Sequence, residues 1–193
     1  GGFAPVSIES SKDLIGGGAK IMLARAVEAQ GGLPDPEFRR LYKEMLAHYA
    51  EHNAVHTRPF PHAEAVLQEL AGHGVQMAVV TNKFEEFARK ALAQLGLDHH
   101  FVTVIGGDSM GRAADGSFLA KPAPDPVIEA QRRCGGGSFA FVGDSSYDVR
   151  AARGAGVPVV VAAYGYCDAA PHELGGDAVI DSLEGLISAL KGL

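Results

Sequence analysis

What most constrains this chain is an alternation of strand and helix signals that begins near residue 62. Short, mostly apolar runs at 75–80, 101–105, 139–142, 157–162 and 178–180 read as strands. Stretches at 62–72, 84–95, 125–134, 147–155 and 182–190 alternate with them and read as helices. Gly96 supplies a stop for one helix, and Asp125-Pro126 a start for another. Strands that are apolar nearly throughout, rather than at every second residue, are buried on both faces. The pattern therefore predicts an α/β fold with a Rossmann-like parallel sheet. Sheets of this kind bind ligands beyond the carboxyl ends of their strands, so chemistry is expected there.

Residues 1–57 have a different character, with no convincing strand. Ile21, Leu23, Ala26 and Val27 mark one helical stretch, and Phe38, Leu41, Met45, Leu46 and Tyr49 mark a second at amphipathic spacing. Gly16-Gly17-Gly18 precedes the first, Gly31-Gly32-Leu33-Pro34 separates the two, and Asp35-Pro36 reads as an N-cap followed by a first-turn proline. A boundary near 57–58 divides the chain into a helical part, 1–57, and an α/β part, 58–193. With 193 residues the chain suits one core domain with a small addition. It opens Gly1-Gly2-Phe3 without a methionine, which points to a start that was removed or lies upstream.

The net charge of −6 argues against nucleic acid as a partner, since such binders show a basic patch. No apolar run approaches the roughly 20 residues that span a bilayer, so no membrane partner is expected. Cys134 and Cys167 make neither a disulfide framework nor a zinc site, and a reducing cytoplasm is the default location. His48, His52 and His56 step by four, which reads as a solvated helical face rather than a metal site.

Three segments carry candidate chemistry. Thr81-Asn82 follows the strand ending at Val80, where a hydroxyl and helix N-terminal N–H groups suit a phosphate oxygen. The alternative is local: Asn82 with Glu85 three residues on resembles a capping pair. Lys121-Pro122-Ala123-Pro124 holds a lysine in a proline-limited turn, where it could neutralise a phosphoryl group, or could simply be exposed. Phe141-Val142-Gly143-Asp144-Ser145-Ser146-Tyr147-Asp148 ends a buried strand with two carboxylates four apart. Such a pair suits Mg2+, which takes one or two carboxylates plus waters and substrate phosphate. Two acids complementing a helix N-terminus would look the same. All three segments would converge on one rim of the sheet.

In this order the residues resemble motifs two, three and four of the haloacid dehalogenase superfamily. Pro59-Phe60-Pro61, Val79-Val80-Thr81-Asn82-Lys83, Gly106-Gly107-Asp108, Lys121-Pro122 and Tyr164-Gly165-Tyr166 resemble its phosphoglycolate phosphatase family. The resemblance implies an HAD-like core at 58–193 and a partial helical cap at 1–57. It implies Thr81 and Lys121 in catalysis, Asp144 and Asp148 at Mg2+, and Asn82, Gly17 and Lys20 near a small phosphorylated metabolite. Lys20 would face the substrate carboxylate. The segment at 110–120 reads as a surface excursion.

One part of the family pattern is missing. Its first motif, Asp-x-Asp-Gly-Thr, supplies the nucleophile from a strand lying between those that end near Thr81 and Gly143. No Asp-x-Asp-Gly occurs in this sequence, and Asp13 does not fit because its neighbours read as cap helix. A gap in the sheet is therefore expected, with an upstream segment lost. The resemblance implies a phosphatase acting through an aspartyl-phosphate, with 2-phosphoglycolate first and a sugar or nucleoside phosphate second. A phosphate-binding scaffold without a nucleophile is the non-enzymatic alternative. Asp144-Ser145-x-x-Asp148 resembles the metal-using form of motif four, which disfavours a dehalogenase.

Overall fold

A computed structural model describes residues 2–12, 14, 15 and 17–193. Three helices come first: α1 (Ile8–Lys12), α2 (Ala19–Glu28) and α3 (Asp35–Glu51). The remainder runs α4 (Ala63–Gly72), β1 (Ala78–Val80), α5 (Glu85–Gln94), β2 (Thr103–Ile105), α6 (Asp125–Arg133), β3 (Phe141–Gly143), α7 (Ser146–Gly154), β4 (Val159–Ala162), β5 (Ala178–Ile180) and α8 (Leu186–Lys191). No helix among the described residues is long and apolar enough to cross a membrane.

All pairing between these strands is parallel, as the apolar runs predict. It falls into two sheets, β1-β2 and β3-β4-β5. Val79 pairs with Val104, Val142 with Val160, and Val161 with Val179. Among the described residues no ladder joins β1 to β3.

β4 shows why the second sheet holds. Its four residues are all buried, and their side chains alternate between two layers. Val159 and Val161 pack with Phe141, Val127 of α6 and Val149, Ala151 and Ala152 of α7. Val160 faces the other way, onto Val66 and Leu70 of α4, Ile180, and Leu186 of α8. Each valine so buried contributes about 1.5–3 kcal/mol. Val80 of β1 packs against the first of these clusters, so the two sheets share a core without sharing hydrogen bonds.

The burial profile of the strands is inverted. β2 and β4 are buried throughout, whereas β1 is only half-buried and Val142 in β3 is 37% exposed. Strands in the middle of a parallel sheet should be the driest. Here β1 and β3, which would be its middle, are wetter than their neighbours. A seam therefore runs between them.

The ladders are shorter than the apolar runs. Val75 and Gln76 lie before β1, and Phe139 and Ala140 before β3. α3 starts one residue earlier than expected, with Pro34 at the cap and Asp35 inside the first turn. The 110–120 excursion is pinned by an Arg112–Phe118 bridge and by Phe118 against Phe84.

Candidate active site

Thr81 leaves β1 while still held by the ladder, its N–H donating to Ile105 O at 2.9 Å. Its Oγ1 accepts the Lys83 N–H at 3.2 Å, which leaves the hydroxyl hydrogen for an acceptor beyond the strand ends. Asn82 Nδ2 donates to the Lys121 carbonyl at 2.9 Å and ties this turn to the next. The Asn82–Glu85 capping pair does not form. Asp108 Oδ1 accepts the Glu85 N–H at 2.8 Å, and the Glu85 carboxylate engages Ser109 and Arg89 instead. The cap comes from the loop after β2, 23 residues away, because that loop folds back over the start of α5.

Lys121 stands across the seam. Its Nζ donates to Val80 O at 2.9 Å and to Asp148 Oδ1 at 2.6 Å, and lies 5.6 Å from the centre of the Phe141 ring. One ammonium thus connects the end of β1 to α7. Its side chain is 11% exposed, so the turn does not present an ordinary surface lysine.

Asp148 sits in the first turn of α7 with both carboxylate oxygens occupied. Oδ1 accepts Lys121, and Oδ2 accepts the N–H of Asp144 at 3.1 Å, the N–H of Ser145 at 3.1 Å and the Ser145 hydroxyl at 2.6 Å. Burial pushes this carboxyl upward, but Lys121 and the hydrogen bonds outweigh it and hold the group below the usual carboxylate range.

Asp144 is placed differently. Its Oδ2 accepts the Tyr166 N–H at 2.8 Å, and burial raises its carboxyl above the ordinary value, with the charge of nearby Asp148 adding to the rise. Gly165 is required beside it, since a Cβ there would come within 2.3 Å of Asp144 Oδ2.

Among the described residues no three His, Cys, Asp or Glu side chains gather into a metal cage. Mg2+ does not need one, because waters and substrate phosphate complete its shell around one or two carboxylates. Asp144 fits that use: its anion is disfavoured by burial, and a bound cation would offset the penalty. Asp148 is better placed to hold Lys121 and the Asp144 turn.

The loop before α2 reaches both sides of this rim. A Cβ on Gly17 would meet Tyr147 Oη at 3.1 Å, and Gly18, at φ +87°, would bring one to 3.3 Å from Asn82 O. Gly17 is thereby brought to the rim, while Lys20 is exposed on α2. Asp13 and Gly16 lie outside the described residues. The end of α3 is fastened to α5: Asn53 Nδ2 donates to Phe87 O at 2.8 Å, Tyr49 packs edge-on against Phe87, and Lys83 Nζ bonds Tyr49 Oη.

Sequence reasoning missed the supports of Asp144 and Asp148, although the Ser145-x-x-Asp148 spacing is itself a capping signal. It also missed a cleft of about 950 Å³ beside Asp144, lined by Arg25, Phe60, Tyr147, Arg150, Tyr164 and Tyr166 among others.

The family model described as haloacid dehalogenase-like hydrolase matches residues 4–162. A phosphoglycolate phosphatase of Agrobacterium fabrum is 33% identical over 192 residues, covering 98% of this chain and 79% of the relative. One of Rhodospirillum rubrum is 35% identical over 197 residues, covering 95% and 76%. The crystal structure of a predicted phosphoglycolate phosphatase from Haemophilus somnus superposes with a TM-score of 0.85 at 28% identity, covering 96% of this chain and 83% of that one.

Proposed function

Because this chain belongs to the haloacid dehalogenase-like hydrolases, we propose that it carries the phosphate and metal sites of a phosphatase for a small phosphomonoester, 2-phosphoglycolate first. The observation that carries the reading is the double attachment of Lys121 to Val80 and Asp148. It holds a cation between the end of β1 and the first turn of α7.

Each residue then has a defined task. An ammonium has three donors, and two of those on Lys121 are engaged, so the third is available to a phosphoryl oxygen. The Thr81 hydroxyl supplies a further donor. Asn82 fixes the Lys121 turn. Asp144 would hold Mg2+, with Asp148 keeping Asp144 and Lys121 in place. When bound, the metal neutralises charge on the phosphoryl oxygens. Such charge neutralisation and positioning supply most of the catalysis in phosphoryl transfer. α1–α3 would act as the cap over residues 58–193, with the Gly17 loop facing the substrate.

The aspartate that would form an aspartyl-phosphate is not offered by this sequence. A parallel strand carrying Asp-x-Asp-Gly-Thr in the seam between β1 and β3 would supply it. A phosphate-binding protein without turnover is the second reading.

Phosphate release from 2-phosphoglycolate separates these readings. It is to be measured with and without magnesium, for this chain and for the chain extended upstream by the motif-bearing strand. Turnover only in the extended form, dependent on magnesium and lost in Asp144→Ala, is the expected result. An extended form that binds phosphate but never turns over would establish the second reading, and turnover by the shorter chain would overturn the assignment of the nucleophile.

A further inference from the structure

We propose that Arg25 and Arg150 form a subsite for a second anionic group on the substrate, so that the site selects phosphomonoesters that also carry a carboxylate. This rests on reading the Thr81, Lys121 and Asp144 rim as the phosphoryl site.

The cleft beside Asp144 provides the place. Tyr166, whose N–H donates to Asp144 Oδ2, lines it, as does Gly165, which lies against the same carboxylate. The space adjoining the rim is thus open to the remaining atoms of a ligand whose phosphoryl group sits there. Arg25 enters from α2 and Arg150 from α7, and both line the cleft. Among the described residues neither guanidinium has an ion pair or a side-chain hydrogen bond, whereas Arg39, Arg40, Arg89, Arg132, Arg133 and Arg153 are all paired with carboxylates.

One carboxylate also lines the cleft, and it is already committed. Asp168 accepts the Ser146 N–H at 2.7 Å and the Ser146 hydroxyl at 2.5 Å, closing the first turn of α7. That leaves two guanidinium groups against one satisfied anion. Their planar donor forks match a carboxylate, and such charge-assisted bonds are the stronger kind. Phe60 packs edge-on against Tyr164 at 5.0 Å and forms an apolar wall of the same cleft.

Lys20 is not part of this arrangement. It stands five residues before Arg25 on α2, about 140° around the helix, and does not line the cleft. The carboxylate-reading role expected of Lys20 passes to Arg25.

The test is calorimetric binding of 2-phosphoglycolate and of ethyl phosphate, which lacks the carboxylate, to this chain in magnesium. Arg25→Gln, Arg150→Gln, Arg25→Lys and Lys20→Gln are measured beside it. The expected result is a preference for phosphoglycolate of about tenfold or more. It should fall away in Arg25→Gln and Arg150→Gln, return in part in Arg25→Lys, and leave ethyl phosphate binding unchanged throughout. That unchanged binding also shows that the variants fold. Equal binding of the two ligands by the parent chain overturns the subsite and spares the phosphoryl site. A preference that survives both glutamine variants, or is lost only in Lys20→Gln, overturns it as well. If ethyl phosphate itself does not bind, the phosphoryl site fails, and the subsite with it.

Discussion

Asp148 illustrates how much one side chain can organise. Its carboxylate is 6% exposed and joins Lys121, Ser145 and the Asp144 backbone. Removing one partner of a buried ion pair strands the other charge, at about 3–5 kcal/mol. Asp148→Ala should lower unfolding free energy by roughly that amount in urea titration, and Asp148→Asn by less, because its amide oxygen can still accept from Ser145. Equal melting of Asp148→Ala and the parent chain would show that Lys121 does not depend on it. Gly165 gives a complementary case. An alanine there would press on Asp144 rather than on the core. Gly165→Ala should weaken magnesium binding about tenfold or more, read by calorimetry, and barely move the melting temperature.

At the scale of elements, Asp177 clips β4 to the approach of β5. Its Oδ2 accepts the Val159 N–H at 2.8 Å and pairs with Arg153 at 2.9 Å. The Val159 hydrogen bond, supported by Arg153 against modest burial, holds the carboxyl below its ordinary value. A depressed folded-state pKa contributes stability fully above the unfolded value, near about 3.9, and loses it as pH falls through the folded value. The gap in urea midpoint between the parent chain and Asp177→Asn should be flat from neutral pH to about 5 and close below about 4. A gap that instead widens in acid would refute the clip.

Element type was legible in the sequence where element length was not. Hydrophobic runs at 75–80 and 139–142 marked β1 and β3, but a ladder extends only as far as its partner. β2 begins at Thr103, so β1 has only three partners, Thr103, Val104 and Ile105. Pro158 accepts from the Phe141 N–H but has no N–H to give, so the β3–β4 ladder starts at Val159. The positions of Thr81, Asp144 and Asp148 were legible because each stands just past a readable strand or in the first turn of a readable helix, and that of Lys121 because prolines limit its turn. Asp108 capping α5, Tyr166 on Asp144 and the cleft arginines were not, because contacts across 20 or more residues leave no local signal.

For the whole molecule, the seam is the dominant fact. Side chains and N–H groups alternate along a strand. Thr81 N–H points to β2 and Phe141 N–H to β4, so the Val80 and Val142 N–H groups face the seam. Their amide hydrogens should exchange at least about tenfold faster than those of Val160 and Val161 in the buried β4. An upstream extension that fills the seam should slow them. Exchange at Val80 and Val142 as slow as in β4 would mean that the seam is closed.

An open seam also gives the molecule a handling property. Each chain presents two strand edges able to accept any extended segment, including one from a neighbouring copy. Lys121 guards one end of that slot, its ammonium resting on the Val80 carbonyl. Val142, an exposed valine on the facing strand, has no such guard. The shelf life of a solution of this chain should therefore shorten with concentration, with light scattering rising as copies lend strands to each other. Lys121→Met should hasten that loss by removing the ammonium stationed at the slot's mouth.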